Sequence, residues 1–422
     1  MGNSYLERYS MKNLLMSVLL IFIMRISYAD RIEICKECSI KSIAEAVEIS
    51  QPHDTIFIKK GTYACFDLAL LKPIHILGEE GAILDGQTKG YILKLLADSI
   101  SISGLKFINS GRSYTKDYAA IYAYRVRQFK LINNEIVDPY FGILLEKSHY
   151  GLIKGNKVHG TFRQEVETGN GIHTWHCSNL NIVDNEVFGL RDGIYLEFAE
   201  ESLIKDNHTH ENARYGLHFM FSNHNEYIGN TFQDNGAGVA VMFSKFIVMK
   251  ENTFIKNWGT ASYGLLLKEI YDAEVTNNIF QENTIGIFIE GCNRINYISN
   301  HFEQNGWAVK VSGGGYENVF MRNNFVSNSF DVSYNTKMND NKFEGNYWSS
   351  YAGYDLDKND IGDVPYRPVK LFSYIVNQTP ETIILLRSLF VDIINFSERV
   401  SPVFTPDKLV DQSPAMTMFT ND

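Results

Sequence analysis

The chain has no surplus of positive charge: 39 Lys and Arg stand against 49 Asp and Glu, a formal net charge of −10 at pH 7. A nucleic-acid surface needs clustered cations to neutralise phosphates, so the balance argues against that class. Nor is there a Gly-rich loop at a strand–helix junction to cradle a phosphate. No apolar run is long enough for a comfortable membrane span. The run LLMSVLLIFIM at 14–24 follows Lys12 and precedes Ser27-Tyr28-Ala29. Small residues at 27 and 29 fit a signal-peptidase cut, which predicts a mature start at Asp30 and export, to the periplasm. Met11 heads a complete signal by itself. Cysteine is scarce, with Cys35, Cys38, Cys65, Cys177 and Cys292 in 422 residues. Cys35 and Cys38 lack the two further ligands at matching spacing that zinc requires. In an exported protein they read as a short disulfide, or as partners of Cys65.

What the sequence has in quantity is a repeat. Glycine followed by alternating apolar residues recurs at Gly142, Gly171, Gly193, Gly216, Gly238, Gly264 and Gly286. Fourteen residues after each stands an asparagine: Asn156, Asn185, Asn207, Asn230, Asn252, Asn278 and Asn300. A period of about 22 residues with short two-periodic strands and no helical segment between them predicts an all-β, right-handed parallel β-helix. One residue after each glycine lies Ile143, Ile172, Ile194, Leu217, Val239, Leu265 or Ile287, a stacked inward column. Later rungs place Phe232, Phe254, Phe280 and Phe302 above one another. The asparagines read as structural ladders at corners where Asn tolerates positive φ, with a second ladder at 212, 235, 257, 283 and 305. Cys177 and Cys292 fall in a packed column of small residues. IKSIAEAVEIS (40–50) reads as a capping helix, and PHDTIFIKKGTY (52–63) as the start of the first strand.

The stretch GLHFMFSNH (216–224) alternates so that Leu217, Phe219 and Phe221 face one side and His218, Met220 and Ser222 the other. Stacked by register, the outward positions of the middle rungs bring together His173, Trp175, Tyr195, His218, Met220 and Met242. An exposed stripe of this composition suggests an interaction surface. Met220 and Met242 lie on adjacent rungs, and thioether with imidazole suits Cu(I) rather than calcium or magnesium, so His218, Met220 and Met242 are the candidate copper ligands. His173 is two rungs from His218, too far for a tight shared site. His159, His208 and His210 fall on another leg and read as incidental. Extra residues enter only on the Asn-to-Gly leg. One such insertion, TFRQEVET (161–168), projects beside the strand after Gly171, where it could wall a groove.

After the rungs, Asp355, Asp357 and Asp360 offer oxygen ligands that calcium would accept, at a spacing unlike an EF-hand. TPETIILLRSLFVDIINFSERV (379–400) is a helix apolar on nearly all sides, which must dock into a partner or onto a membrane surface. Prolines keep SPVFTPDKLVDQSPAMTMF (401–419) extended, able to continue that contact. The expected organisation is a signal peptide at 1–29, an N-terminal cap at 30–50, the β-helix at 51–346, a closing segment at 347–375 and a docking tail at 376–422.

Together, GIYLEFAEES, GLHFMFSNHNEYIGN, GNYWSSYAGYDLDKNDIGDVPYRP and the tail with LLRSLF and SPVFTPDKLVDQSPAM resemble the NosD family over essentially the whole mature chain. These are periplasmic β-helix proteins needed to mature nitrous oxide reductase. The resemblance implies a non-enzymatic role on an ABC transporter with a permease and an ATPase. It also implies help in building the reductase's copper–sulfur centre, with a copper-chaperone lipoprotein as a further partner. It would make Ile383, Leu386, Phe390, Ile394, Phe404 and Met416 a permease-docking element, and the Met/His stripe a transient copper relay or reductase-docking face. The competing class is a carbohydrate-active enzyme. Glu146 and Glu197 stand two rungs apart in one column, about 9.6 Å between backbones, near the upper limit for an inverting glycosidase. Trp175 between them could stack on a sugar. Against this class, no compact Asp-Asp cluster appears and few Lys or Arg line the groove.

Overall fold

The computed structural model describes residues 30–162, 164, 168–259, 262–335, 340–400 and 409–420. The predicted signal peptide, Phe404 and residues 163 and 165–167 of the predicted loop lie outside them.

The chain winds into a right-handed parallel solenoid of about 13 turns. Its strands form three parallel sheets of 14, 12 and 13 strands. The first runs from Arg31–Ile34 to Lys342–Glu344, the second from Leu68–Leu70 to Phe330–Tyr334, and the third from Gly61–Ala64 to Tyr347–Trp348. Register follows the repeat: Ile143, Ile172, Ile194, Leu217, Val239, Leu265 and Ile287 pair in succession along the second sheet, all fully buried. Phe232, Phe254, Phe280 and Phe302 stack at 4.6–5.2 Å between ring centroids, and the stack continues to Phe325 and Trp348. The repeat glycine near the start of the middle second-sheet strands is a close-approach position. A Cβ on Gly216 would lie 2.7 Å from the Gly238 carbonyl oxygen and 2.6 Å from Thr209 Oγ1.

The asparagine ladder satisfies buried polar groups in a repeating way. Asn207 donates from Nδ2 to Asn230 Oδ1 at 2.9 Å and to the Ile182 carbonyl at 2.8 Å, while its own Oδ1 accepts from Asn185 N. The ladder is longer than the repeat announced, running from Asn134 through Asn323 and Asn346. The expected positive φ belongs to the residue before each ladder asparagine: Asp184, Asp206, Gly229 and Glu251 have φ of 56°, 53°, 67° and 57°. The turn residue faces solvent, and the asparagine after it folds inward. The same geometry corrects the alternation at 221–222. Phe221 has φ 51°, so it is 39% exposed, and Ser222 is fully buried. Strand alternation ends where the left-handed residue reverses the chain.

Helix α1 (Ile43–Ile49) buries Ile43, Ala46 and Val47 against the N-terminal rung. A strand, Arg31–Ile34, precedes α1 and pairs with Thr55–Ile58, so the first strand begins earlier than expected. Cys35 and Cys38 form a disulfide, and Cys65, Cys177 and Cys292 are buried free thiols. Burial pushes the Cys177 thiol up to about 11 and Cys65 and Cys292 to about 12, leaving them protonated.

The predicted helix at 379–400 is broken. Helix α2 (Leu371–Gln378) is followed by a 3₁₀ turn, Pro380–Leu385, and then α3 (Leu389–Val400). Phe372, Val376 and Val391 pack with Trp307 and Phe330 on the outer face of the second sheet, and Leu386 and Ile394 lean on that cluster.

Candidate functional site

The site is built on the outer face of the second sheet. Leu144, His173, Tyr195, His218 and Ala240 lie in one column, and Glu146, Trp175, Glu197, Met220 and Met242 in the other. Register therefore brings the six predicted stripe residues together. Their exposure, however, is corrected: His218 is only 5% exposed, and the other five are half-buried. For His218, the preceding rung and the start of its own strand supply the cover. Tyr195 stacks on His218 at 4.4 Å and 8° between planes, and Tyr215 lies against it at 4.8 Å. His173 sits on the far side of Tyr195 at 4.7 Å. The tyrosine thus separates the two imidazoles, and they cannot share one ion.

Both ring nitrogens of His218 are buried without a hydrogen-bond partner. Burial, then the charge of Arg214, lowers its pKa to about 3. The 4.0 Å contact between His218 Nδ1 and Asp192 Oδ2 therefore involves a neutral ring and is no ion pair. Asp192 is buried too, which raises its carboxyl, opposed by Arg214 and Arg191; Arg214 Nε lies 3.5 Å from its Oδ1. The Tyr195 hydroxyl, held protonated by burial with its pKa raised to about 12, donates to Met220 Sδ at 3.6 Å. Met220 pairs in register with Met242. A neutral imidazole with unused nitrogens beside two thioethers is a donor set that fits a soft monovalent cation.

Local alternation could not find Asp192 or Arg214, because they sit at corners before their strands, and Tyr215 is the first residue of the strand Tyr215–Met220, ahead of the repeat glycine. The only trace is that Arg191-Asp192-Gly193 and Arg214-Tyr215-Gly216 occupy equivalent places in the repeat. An exposed ladder of corner aromatics was also missed: His176, Phe198, Phe221 and Phe243 stack at 4.7, 5.2 and 5.1 Å.

The buried imidazole makes stability depend on pH. Unfolded, His218 titrates near its ordinary value of about 6.5, so as pH falls the unfolded chain takes the proton first. Its contribution is complete above that pH and is lost progressively toward about 3. Between pH 6.5 and 5 the loss should reach about 2 kcal/mol. Asp192, raised by burial, contributes with the opposite sign. Comparing His218→Phe with the wild type by thermal unfolding isolates the histidine: the variant should show a flatter slope, and identical slopes would contradict this.

The two glutamates of the predicted glycosidase pair have different neighbours. Glu146 accepts a hydrogen bond from the Tyr122 hydroxyl at 3.0 Å, and Glu197 lies 3.9 Å from His173 Nε2. Of the predicted aspartates, Asp355 and Asp357 lie side by side, close enough for a hydrogen bond between their carboxyls. Asp355 accepts from the backbone N–H groups of Asn359 and Asp360, and Asp357 from Asn359 Nδ2. Among the described residues they form no group of three with ligand atoms close together.

Of the tail residues, Ile383 and Phe390 are exposed, while Leu386 and Ile394 lean on the chain's own cluster. Ile384, Leu389, Ile393 and Phe396, at 87%, 73%, 55% and 67% exposure, extend the apolar surface that Ile383 and Phe390 turn to solvent. Met416 is half-buried and donates its backbone N–H to the Asp360 carbonyl, so the 409–419 stretch folds back onto this chain. Among the described residues no helix is long and apolar enough to cross a membrane.

Residues 159–353 match the model of a family described as periplasmic copper-binding protein (NosD). Two relatives carry the name "Probable ABC transporter binding protein NosD". That of Stutzerimonas stutzeri is 26% identical over 369 residues, covering 83% of this chain and 84% of the relative. That of Pseudomonas aeruginosa is 28% identical over 366 residues, covering 82% and 85%. Among solved structures, the A-module of a mannuronan C-5 epimerase from Azotobacter vinelandii aligns with a TM-score of 0.58 at 11% identity, covering 70% of this chain and 90% of that one. The catalytic domain of an α-1,3-glucanase aligns with a TM-score of 0.55 at 12% identity, covering 76% and 69%. At such identity these enzymes share the fold and nothing further is implied.

Proposed function

We propose that this chain is a NosD-type protein and the binding subunit of an ABC transporter in the periplasm, a reading supported by the family-model match and the two relatives named as binding proteins. It takes Cu(I) as cargo on the face formed by His218, Met220 and Met242, for the copper–sulfur centre of nitrous oxide reductase. The observation that carries this reading is the His218 imidazole, neutral and with both nitrogens unpartnered, on the same strand face as two in-register thioethers. Burial among Tyr195, Tyr215 and Ala240 keeps the ring deprotonated at any physiological pH, so protons do not compete with the metal. A copper-chaperone lipoprotein would load this face and the reductase would unload it. Neither exchange requires this chain to catalyse a reaction, in keeping with relatives named as binding proteins.

Docking to the permease, which pairs with the ATPase, falls to the exposed side of the 3₁₀ turn and α3. Ile384, Leu389, Phe390, Ile393 and Phe396 form an apolar face that water alone would not favour. One experiment tests both halves. In cells maturing the reductase, His218→Ala/Met220→Ala/Met242→Ala should yield reductase lacking its copper–sulfur centre. Leu389→Asp/Phe390→Asp should abolish co-purification with the permease while the chain stays folded. Full maturation with the first variant would contradict the copper role, and undiminished co-purification with the second the docking role.

A further inference from the structure

The third sheet carries a second cluster of donors, on a different face from the methionines. Strand His208–His210 turns Thr209 fully inward, so His208 and His210 both face out from one strand. Register sets His208 beside Glu186 and His210 beside Phe188 on the preceding rung. One ligand atom from each of Glu186, His208 and His210 lies within 4.8 Å of the others, the one such group of His, Cys, Asp and Glu among the described residues.

The three side chains are held from behind. Phe188 stacks on the His210 ring at 4.5 Å, and the two imidazoles lie 4.4 Å apart between centroids. His210 Nε2 is 3.5 Å from Glu186 Oε1, and Lys157 Nζ holds the other carboxylate oxygen at 2.7 Å. His208 Nε2 is buried and makes no hydrogen bond of ordinary length, with the Gln233 side chain of the next rung near the ring. A buried imidazole nitrogen left unpaired beside a carboxylate is a cost unless something else satisfies it.

An internal comparison sharpens the point. Two rungs earlier the same carboxylate–histidine pairing recurs, with His159 Nε2 at 3.2 Å from Glu135 Oε1. There the position equivalent to His208 is Lys157, and every partner is satisfied within the surface. Only where lysine gives way to a second histidine does a third donor appear.

We propose that Glu186, His208 and His210 bind a divalent cation of borderline softness, zinc being the type case. Two imidazoles and one carboxylate are the three-ligand set of an open zinc site, whose fourth position water or a partner's side chain fills. Tetrahedral donors lie about 3.3 Å apart at zinc distances, so small side-chain rotations close the observed spacing. The set lacks the thioethers that favour Cu(I), so this face and the methionine face would bind different metals.

The test is a competition titration of the full chain with Zn²⁺, repeated with Co²⁺ to read tetrahedral absorption bands. The wild type should bind one equivalent. His208→Ala/His210→Ala and Glu186→Gln, both at the surface of a rung whose core is untouched, should weaken binding by more than about tenfold. Lys157→Ala should tighten it by freeing the second carboxylate oxygen, and His218→Ala/Met220→Ala/Met242→Ala should leave it unchanged. No zinc binding by the wild type, or equal binding by the wild type and the two ligand variants with circular dichroism intact, would overturn the proposal.

Discussion

Replacing Asp411 by alanine should detach the C-terminal segment from the end of the coil, at a local cost of about 3–5 kcal/mol. Asp411 is fully buried and takes the place of the next asparagine in the ladder. Its Oδ2 accepts from Asn346 N at 2.9 Å, Asn346 Nδ2 at 3.2 Å and Trp348 Nε1 at 3.0 Å. Its Oδ1 accepts from Gly345 N at 3.0 Å and Ser413 N at 3.2 Å. Residues 411 and 415 thereby add bridges to Phe343 and Tyr347, a partial rung that closes the sheets. Alanine would strand several buried donors together, and the uncovered strands would present an open edge. Asn at this position keeps one acceptor oxygen but turns its amide toward Gly345 N and Ser413 N, so Asp411→Asn should lose less than alanine and still be measurable. In a solenoid the effect stays near the end, so limited proteolysis at 409–420 reads it better than global unfolding. An Asp411→Ala chain as protease-resistant as the wild type would contradict this account of the closure.

The rungs were legible because their determinants are local and repeated. A glycine, two inward apolar residues and an asparagine at fixed spacing state both the turn and its register. The corners were harder to read. Alternation carried past the strand end places Phe221 inside, although the small residues Cys177, Ala199, Ser222 and Ser244 already mark that column as packed. The left-handed turn residue inverts the pattern, and nothing in Phe itself announces positive φ. The burial of His218 was hidden for a different reason. Its cover comes from Tyr195 one rung away, from Asp192 and Arg214 at corners, and from Tyr215 at the start of its own strand, three residues off and outside the alternation that sets its direction. The tail misled for the same reason. Asp411 meets Asn346 across 65 residues and Phe419 meets Asn324 across 95, while the composition of the segment reads as an extended arm. His208 and His210, read as incidental because they fall on another leg of the coil, gain meaning only from the Glu186 that register places beside them.

The other large effect expected concerns copper. In the proposed copper site His218 would contribute a neutral nitrogen donor whose desolvation is already in place, so binding a cation there would recover a polar interaction the folded chain lacks. Met220 contributes sulfur that accepts one hydrogen bond from Tyr195 and keeps a second lone pair, and Met242 contributes the matching sulfur from the next rung. Removing all three leaves the sheet's inward columns intact, because Leu217, Phe219, Val239 and Val241 carry the packing. The most direct measurement is an anaerobic Cu(I) competition titration of the full chain beside its His218→Ala/Met220→Ala/Met242→Ala variant. The account predicts one Cu(I) bound by the wild type and an affinity lower by more than about a hundredfold in the variant. Equal affinity in the two proteins, or no Cu(I) bound by either, would contradict it.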